Sequence, residues 1–209
     1  MHHILAERAG GLVGSDASVL HGVLSLRHKV FSERLGWDVR SDNGMEYDFF
    51  DVMNPVFIVA KDDHGQVDGC WRALPTTGPY MLRDTFPQLL RGEAVPSDPE
   101  VWELSRFAVS FEDGKGSQAG VSPITVMLLY EAYNYAIENG IKSYVTVTSV
   151  ALERMLTRKV GVPLRRFGDK KSQRVGSVLS VAVWVDINDE LHASLDNAMA
   201  AFEVMTEAA

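Results

Sequence analysis

Two short apolar runs, residues 56–60 and 67–74, flank the turn signal Asp62-Asp63-His64-Gly65, and this arrangement constrains the fold more than any other feature of the chain. It predicts a β-hairpin, so two neighbouring strands run antiparallel and a regular, doubly wound parallel sheet is disfavoured. Further along, Ser122-Pro123 forms an N-cap and first-turn pair and Gly140 supplies a left-handed C-cap, which together predict a helix ending at Asn139. Apolar spacing predicts an amphipathic helix over 18–35 with Ser18 as its N-cap, and a short helix over 82–90. Strands are expected at 101–109, 144–148 and 177–185, with helices at 151–159 and 188–205. Residues 36–54 combine Gly, Asn, Asp and Pro with little period and read as a long irregular loop, uncommon in a compact domain unless it serves a site. The expected architecture is α/β, a mixed-sheet α-β-α sandwich formed by a single domain over residues 1–209.

Composition bounds the function. The formal charge of −8 argues against non-specific nucleic-acid binding, which depends on Lys and Arg neutralising phosphates. The charge is uneven, however. Residues 153–174 hold Arg154, Arg158, Lys159, Arg165, Arg166, Lys170, Lys171 and Arg174 against Glu153 and Asp169, a net +6 that leaves −14 on the remainder. A basic surface on an acidic body suits an acidic partner or a phosphorylated ligand. A single cysteine, Cys70, excludes an internal disulfide and a multi-cysteine zinc site, and fits a reducing cytosol. The N-terminus lacks a signal-peptide pattern and no apolar run reaches membrane-spanning length, so a soluble, cytoplasmic protein without membrane association is expected. There is no Gly-x-Gly-x-x-Gly or Walker-type loop.

Three groups of residues carry chemistry. Arg27 and Phe31 lie four apart on one helix, with Trp37 just beyond, so a cation and two aromatics converge in a way that suits a carboxylate and a sulfonium. In the loop, Glu46, Asp48 and Asp51 gather three carboxylates that could counter an ammonium or hold Arg27 and Arg72; their spacing does not fit a calcium loop, and no metal is expected. In the strand 101–109, period two puts Glu103, Ser105 and Phe107 on one face and Arg106 on the other. A carboxylate in such apolar surroundings needs a partner, and desolvation makes it a plausible base toward an amine.

The pattern Arg27, Phe31, Trp37, Asp48, Asp51, Arg72, Phe86, Glu103 and Arg106, set in RHKVFSERLGW, EYDFFD, CWRALPTTGPYMLRDTFPQLL and WELSRFAV, resembles the autoinducer synthases that make N-acyl-homoserine lactones. The match covers the N-terminal half without departure from the family's signature, while the C-terminal half is more loosely similar. The resemblance implies the fold of the acetyltransferases related to histone and aminoglycoside N-acetyltransferases, with a V-shaped cleft between splayed central strands. It implies transfer of an acyl group from acyl carrier protein or acyl-coenzyme A to the amine of S-adenosylmethionine, followed by lactonisation and loss of methylthioadenosine.

On that resemblance Glu103 is the base, with Ser105 and Arg106 offering backbone amides to the oxyanion. Arg27, Phe31, Trp37, Asp48, Asp51, Arg72 and Phe107 build the S-adenosylmethionine pocket. Met81, Phe86, Leu104, Thr146, Thr148 and Leu156 line the acyl pocket, where Thr146 could hydrogen-bond a 3-oxo group. Gly114 and Gly116 stand where such folds bind a pantetheine phosphate. The basic residues Arg154, Arg158, Lys159, Arg165, Arg166, Lys170 and Lys171 would dock the acidic carrier. Two rivals are an N-acetyltransferase acting on another amine, for which DGKGSQAG is an incomplete pyrophosphate loop, and a non-enzymatic acyl-signal sensor, for which no DNA-reading helix pair is evident.

Overall fold

Eight strands form one twisted sheet in the order β1-β4-β5-β6-β7-β10-β8, with β9 joined to β10, and two further strands, β2 and β3, pair apart from it. In chain order the elements are β1 (His2–Arg8), α1 (Ala9–Ser15), α2 (Ala17–Arg27), β2 (Ser41–Asp42), β3 (Met45–Glu46), β4 (Val56–Asp62) and β5 (Val67–Pro75). They continue as α3 (Met81–Asp84), β6 (Val101–Val109), α4 (Pro123–Asn139), β7 (Ser143–Ser149), α5 (Val150–Met155), β8 (Leu164–Arg166), β9 (Gln173–Val175), β10 (Val178–Asp186) and α6 (Asp189–Glu207). The structure is a computed structural model that describes residues 1–15, 17–110 and 121–207.

The expected hairpin is β4–β5, antiparallel from Val56↔Ala73 to Ala60↔Gly69. The expected capped helix is α4: Ser122 Oγ accepts from Thr125 N, Pro123 opens the first turn, and Gly140 takes φ 69°. Helix α4 sits so close to β5 that a Cβ on Gly69 would lie 2.6 Å from Ile124 Cγ2, so a side chain there would push the helix off the sheet. One face of the sheet carries α4 and α6 over Trp71, Trp102, Leu104 and Tyr144. The other carries α1 and α2 over Phe57, Val59, Cys70 and Ala108. Desolvation there pushes the Cys70 thiol up to about 12, which leaves it unreactive.

Four differences from the sequence expectation have local causes. Helix α2 ends at Arg27 and continues as a wider π-helical stretch, His28–Arg34, which carries Phe31. The expected helix over 82–90 is broken into α3 and a 3-10 turn, Pro87–Leu90, because Pro87 has no N–H to extend the first. The expected irregular loop holds the β2–β3 pair and a 3-10 helix, Phe49–Met53, closed by a capping box between Asp48 and Asp51. Strands β8 and β9 lie inside the basic segment, and β1 forms an edge of the sheet.

The decisive feature is the centre of the sheet. Strands β6 and β7 run parallel and pair at only four positions, Val101↔Ser143 to Leu104↔Thr146, after which the ladder stops. The two strands splay beyond Leu104 and Thr146, leaving backbone groups of Ser105 to Val109 free of that neighbour.

Candidate functional site

A β-bulge shapes the site. Between Cys70↔Ala108 and Arg72↔Ser105 the single residue Trp71 faces both Arg106 and Phe107, and Arg106 takes φ 59°. The extra residue corrects the expected alternation: Glu103, Ser105 and Arg106 share the α2 face, whereas Phe107 turns to the α4 face and meets Trp71 edge-on at 5.1 Å. Simple period-two reasoning fails because a bulge is set by the register of the partner strand, which β6 alone does not reveal.

On the α2 face three guanidinium groups interlock with three carboxylates. Arg27 donates from Nε to Glu46 and from both terminal nitrogens to Asp51, at 2.8 and 2.9 Å. Arg72 donates to Asp48 at 2.5 Å, Asp51 at 2.7 Å and Ser105 Oγ at 3.2 Å. Arg106 reaches Glu46 at 3.1 Å and Asp48 at 2.9 Å. Arg27 and Arg72 are fully enclosed, while Arg106 keeps 12% of its side chain exposed. Burial opposes charge on Arg27, but the hydrogen bonds and charges of Asp51 and Glu46 outweigh it and hold the guanidinium above its ordinary range. For Asp51 burial raises the pKa, and the opposing hydrogen bonds and charges of Arg27 and Arg72 bring it down to about 2. These groups tie the loop around Asp48 to α2 and to the sheet, and Arg106 is the member open toward a ligand. Phe31 and Trp37 stack beside it at 5.2 Å, with the Arg106 guanidinium 5.5 Å from the Phe31 ring.

Glu103 lies below this network, fully buried. Its two oxygens accept from the amides of Met81 at 2.8 Å and Leu82 at 2.6 Å, the first residues of α3. Desolvation raises its pKa; the two amides and the charges of Arg72 and Arg106 oppose it, and the result is about 7. A carboxyl poised there exchanges a proton near neutral pH.

Across the sheet, between β6, β7, β10 and the helices α4 and α6, lies a narrow apolar cavity of about 40 Å³, partly open to solvent. Trp71, Leu104, Thr146 and Leu156 line it from the sheet side and from the π-helical end of α5, and Tyr133 and Leu191 line it from α4 and α6. Two buried polar atoms on this face have no hydrogen-bond partner among the described residues, Trp71 Nε1 and Thr148 Oγ1. Unpaired buried polar groups are costly and call for a ligand or an ordered water to satisfy them.

A family model described as autoinducer synthase matches residues 14–195. The chain belongs to the autoinducer synthase family. An acyl-homoserine-lactone synthase of Aliivibrio fischeri is 44% identical over 185 residues, 88% of this chain and 95% of that protein. The crystal structure of the acyl-homoserine-lactone synthase LasI superposes with a TM-score of 0.82 at 36% identity, covering 94% of this chain and 95% of that one. A coenzyme A-dependent acyl-homoserine lactone synthase, BjaI, solved with S-adenosylmethionine and isopentyl-coenzyme A, gives 0.80 at 26% identity over 95% of this chain and 90% of that one. A putative N-acetyltransferase from Lactobacillus plantarum, 15% identical with a TM-score of 0.58, shares the fold.

In this autoinducer synthase the residues expected at the substrate pocket divide in two. Arg27, Phe31, Trp37, Asp48, Asp51, Arg72, Glu103, Ser105 and Arg106 gather on the α2 face, and Phe107 does not join them. Of the expected acyl-pocket residues, Leu104, Thr146 and Leu156 line the cavity. Met81 and Phe86 pack with Phe50 and Leu74 on the opposite face of the sheet and do not line this cavity. Trp71 and Tyr133 had no local signal, since an aromatic on a strand or helix face reads as core until the neighbouring layers are known. Gly114 and Gly116 lie outside the described residues.

The basic segment is partly consumed by internal ion pairs. Arg165 holds Glu93 at 2.8 Å, Arg166 holds Glu153 at 2.5 Å, and Lys171 approaches Asp169 at 3.7 Å. Arg154, Arg158 and Lys159 are exposed on α5 and its continuation, with no ion partner among the described residues. Lys170 is exposed on the turn after Phe167, where its carbonyl accepts from Arg166.

Proposed function

We propose that this chain makes an N-acyl-homoserine lactone from S-adenosylmethionine and an acyl thioester of acyl carrier protein or coenzyme A. Family membership supports the reaction class, and the observation that carries the reading is Glu103. It is a buried carboxyl with a pKa near 7, adjoining an ionic lattice on one face of a strand whose other face lines an apolar cavity.

S-adenosylmethionine carries a sulfonium, an ammonium and a carboxylate, a net +1. The lattice of three guanidinium groups and three carboxylates is neutral, so an ionised Glu103 supplies the complementary charge. The Phe31–Trp37 stack offers aromatic faces to the sulfonium and adenine, and Arg106 offers its partly exposed guanidinium to the carboxylate. Arg27 and Arg72 act as positioning residues, because their donors are already engaged by the loop acids and Ser105.

For acylation the ammonium must lose a proton, which Glu103 takes through a water, since both its oxygens also accept backbone amides. The amine lone pair then attacks the thioester carbon, and the tetrahedral intermediate collapses with loss of the carrier thiolate. Backbone groups of β6 beyond the last β7 pair lie free to meet the oxyanion and the pantetheine arm. The carboxylate oxygen next attacks the γ carbon, the carbon–sulfur bond breaks toward sulfur, and methylthioadenosine leaves as the lactone closes. The acyl tail occupies the cavity, and Arg154, Arg158, Lys159 and Lys170 meet the acidic carrier or the coenzyme A phosphates. The single cysteine is buried, and no helix among the described residues is long and apolar enough to cross a membrane; we place the reaction in the cytoplasm.

Mass spectrometry of extracts from cells expressing the chain or its Glu103→Gln variant tests the reading. Lactone from the wild type and its loss in the variant is the expected result. No lactone from soluble protein that binds S-adenosylmethionine would turn the reading toward another N-acyltransferase.

A further inference from the structure

We propose that the Tyr133 ring, stacked on His192, is the stop that sets the longest acyl chain this synthase accepts. The proposal rests on the acyl tail entering the cavity, and it names the residues that terminate that cavity at the seam between α4 and α6.

Tyr133 projects from α4 and lines the cavity, yet its side chain is only half-buried. It stacks on His192 of α6, with ring centroids 5.0 Å apart and planes 14° from parallel, and 42% of the His192 side chain is exposed. At this point, therefore, two stacked rings separate the cavity from solvent. The neighbouring residue Leu191 is buried and lines the same cavity, so the seam follows one edge of it.

The outer ring is fixed from behind. Tyr130, one turn before Tyr133, bridges His192 Nε2 at 2.9 Å and Asp196 Oδ1 at 2.7 Å, and its ring meets Tyr133 edge-on at 6.5 Å. The remaining walls differ in kind. Where β7, β8 and β10 form the boundary, a backbone ladder stays in place whatever the side chain. Two helices share no such ladder, so removing an aromatic plug from their seam opens a gap to solvent.

A tail that starts at the splay of β6 and β7 and runs under α4 ends against this ring. Additional methylenes must dislodge a stacked pair whose outer ring is hydrogen-bonded to Tyr130, or double back in a packed cavity. Each methylene that fails to find apolar surroundings costs about fourfold in preference.

The test offers wild type, Tyr133→Ala, Tyr133→Phe and His192→Ala a single mixture of straight-chain acyl-coenzyme A donors, from butanoyl to tetradecanoyl, with S-adenosylmethionine. The lactones are then read by mass. The ratio of long to short products within one tube is insensitive to the fraction of protein that folds. Wild type and Tyr133→Phe should show the same upper cut-off. Tyr133→Ala should move it upward by two or more methylenes and raise the long-to-short ratio at least tenfold, with His192→Ala shifting it the same way by less. Lactone formation with an unchanged length profile in Tyr133→Ala would overturn the stop while leaving the activity intact. If no protein made lactone from these donors, the same chain lengths are offered as acyl carrier protein thioesters; no lactone from either donor would overturn the activity reading, and thermal shift with the coenzyme A donors would judge the stop independently. Stabilisation should cease to grow with chain length in wild type and keep growing in Tyr133→Ala; parallel curves would overturn the stop.

Discussion

Glu103 makes the stability of this protein depend on pH in a way that a single substitution isolates. Its pKa is raised from 4.5 to about 7, chiefly by desolvation, so the folded state holds a proton over a range in which the unfolded chain has released it. The sign follows directly: the associated stability is complete below about pH 4.5 and is lost as pH rises through about 7. A difference of that size corresponds to about 3 kcal/mol. In Glu103→Gln nothing titrates at this position. The variant bears a separate, pH-independent cost, because an amide nitrogen must face the Met81 or Leu82 N–H that a carboxylate oxygen now accepts. Urea unfolding of both proteins at pH 5 and pH 8.5 should therefore show the variant gaining most of ~3 kcal/mol relative to wild type at the higher pH. With a slope of roughly 2–3 kcal/mol per molar, the midpoint separation moves by about 1 M. A separation that stays constant between the two pH values would refute the account of Glu103 as a desolvated, titrating group.

Other expectations are independent of that one. The rate with S-adenosylmethionine should fall tenfold per pH unit below about pH 7 as the Glu103 base is protonated, and a flat profile between pH 5.5 and 7 would remove it from proton transfer. Thr148→Val replaces a buried hydroxyl that has no partner among the described residues by an isostere, so it should stabilise the unliganded protein by about 1 kcal/mol in urea unfolding. Arg154→Ala combined with Arg158→Ala should raise KM for an acyl carrier protein donor and flatten its salt dependence while leaving kcat unchanged. Arg106→Ala should raise KM for S-adenosylmethionine at least tenfold, since it removes the partly exposed guanidinium and leaves Glu46 and Asp48 each short of a partner.

The elements legible in the sequence are those written by local signals. The Ser122-Pro123 start and Gly140 stop of α4, the β4–β5 hairpin and the apolar run of β6 each depend on neighbours in the chain. The site acids and arginines were legible as residue types too, and Arg72 and Arg106 tie the loop carboxylates to the sheet as their charges suggest. What remained hidden depends on other strands and layers. The bulge at Arg106 arises from register with β5, and it moved Phe107 to the wrong face in any reading by alternation. Met81 and Phe86 follow a Pro- and Gly-rich stretch whose side of the sheet has no sequence signature, so their separation from Leu104 and Thr146 emerges only from the packed structure. Glu46 was visible as one loop acid among three, but its complete enclosure between Arg27 and Arg106 was not.

The bulge also bears on how such an enzyme can diversify. By turning Ser105 and Arg106 to one side and Phe107 to the other, it makes a single strand the party wall between a charged chamber and an apolar one. Substitutions away from that strand, such as at Trp37 on one side and Tyr133 or Leu191 on the other, are separated by the sheet, so their free-energy effects should add. On the proposed reading, a lineage would exchange one signalling tail for another through the part of the cavity wall that α4 and α6 contribute, with the head-group residues left as they are, so that neighbouring populations come to use different chemical dialects.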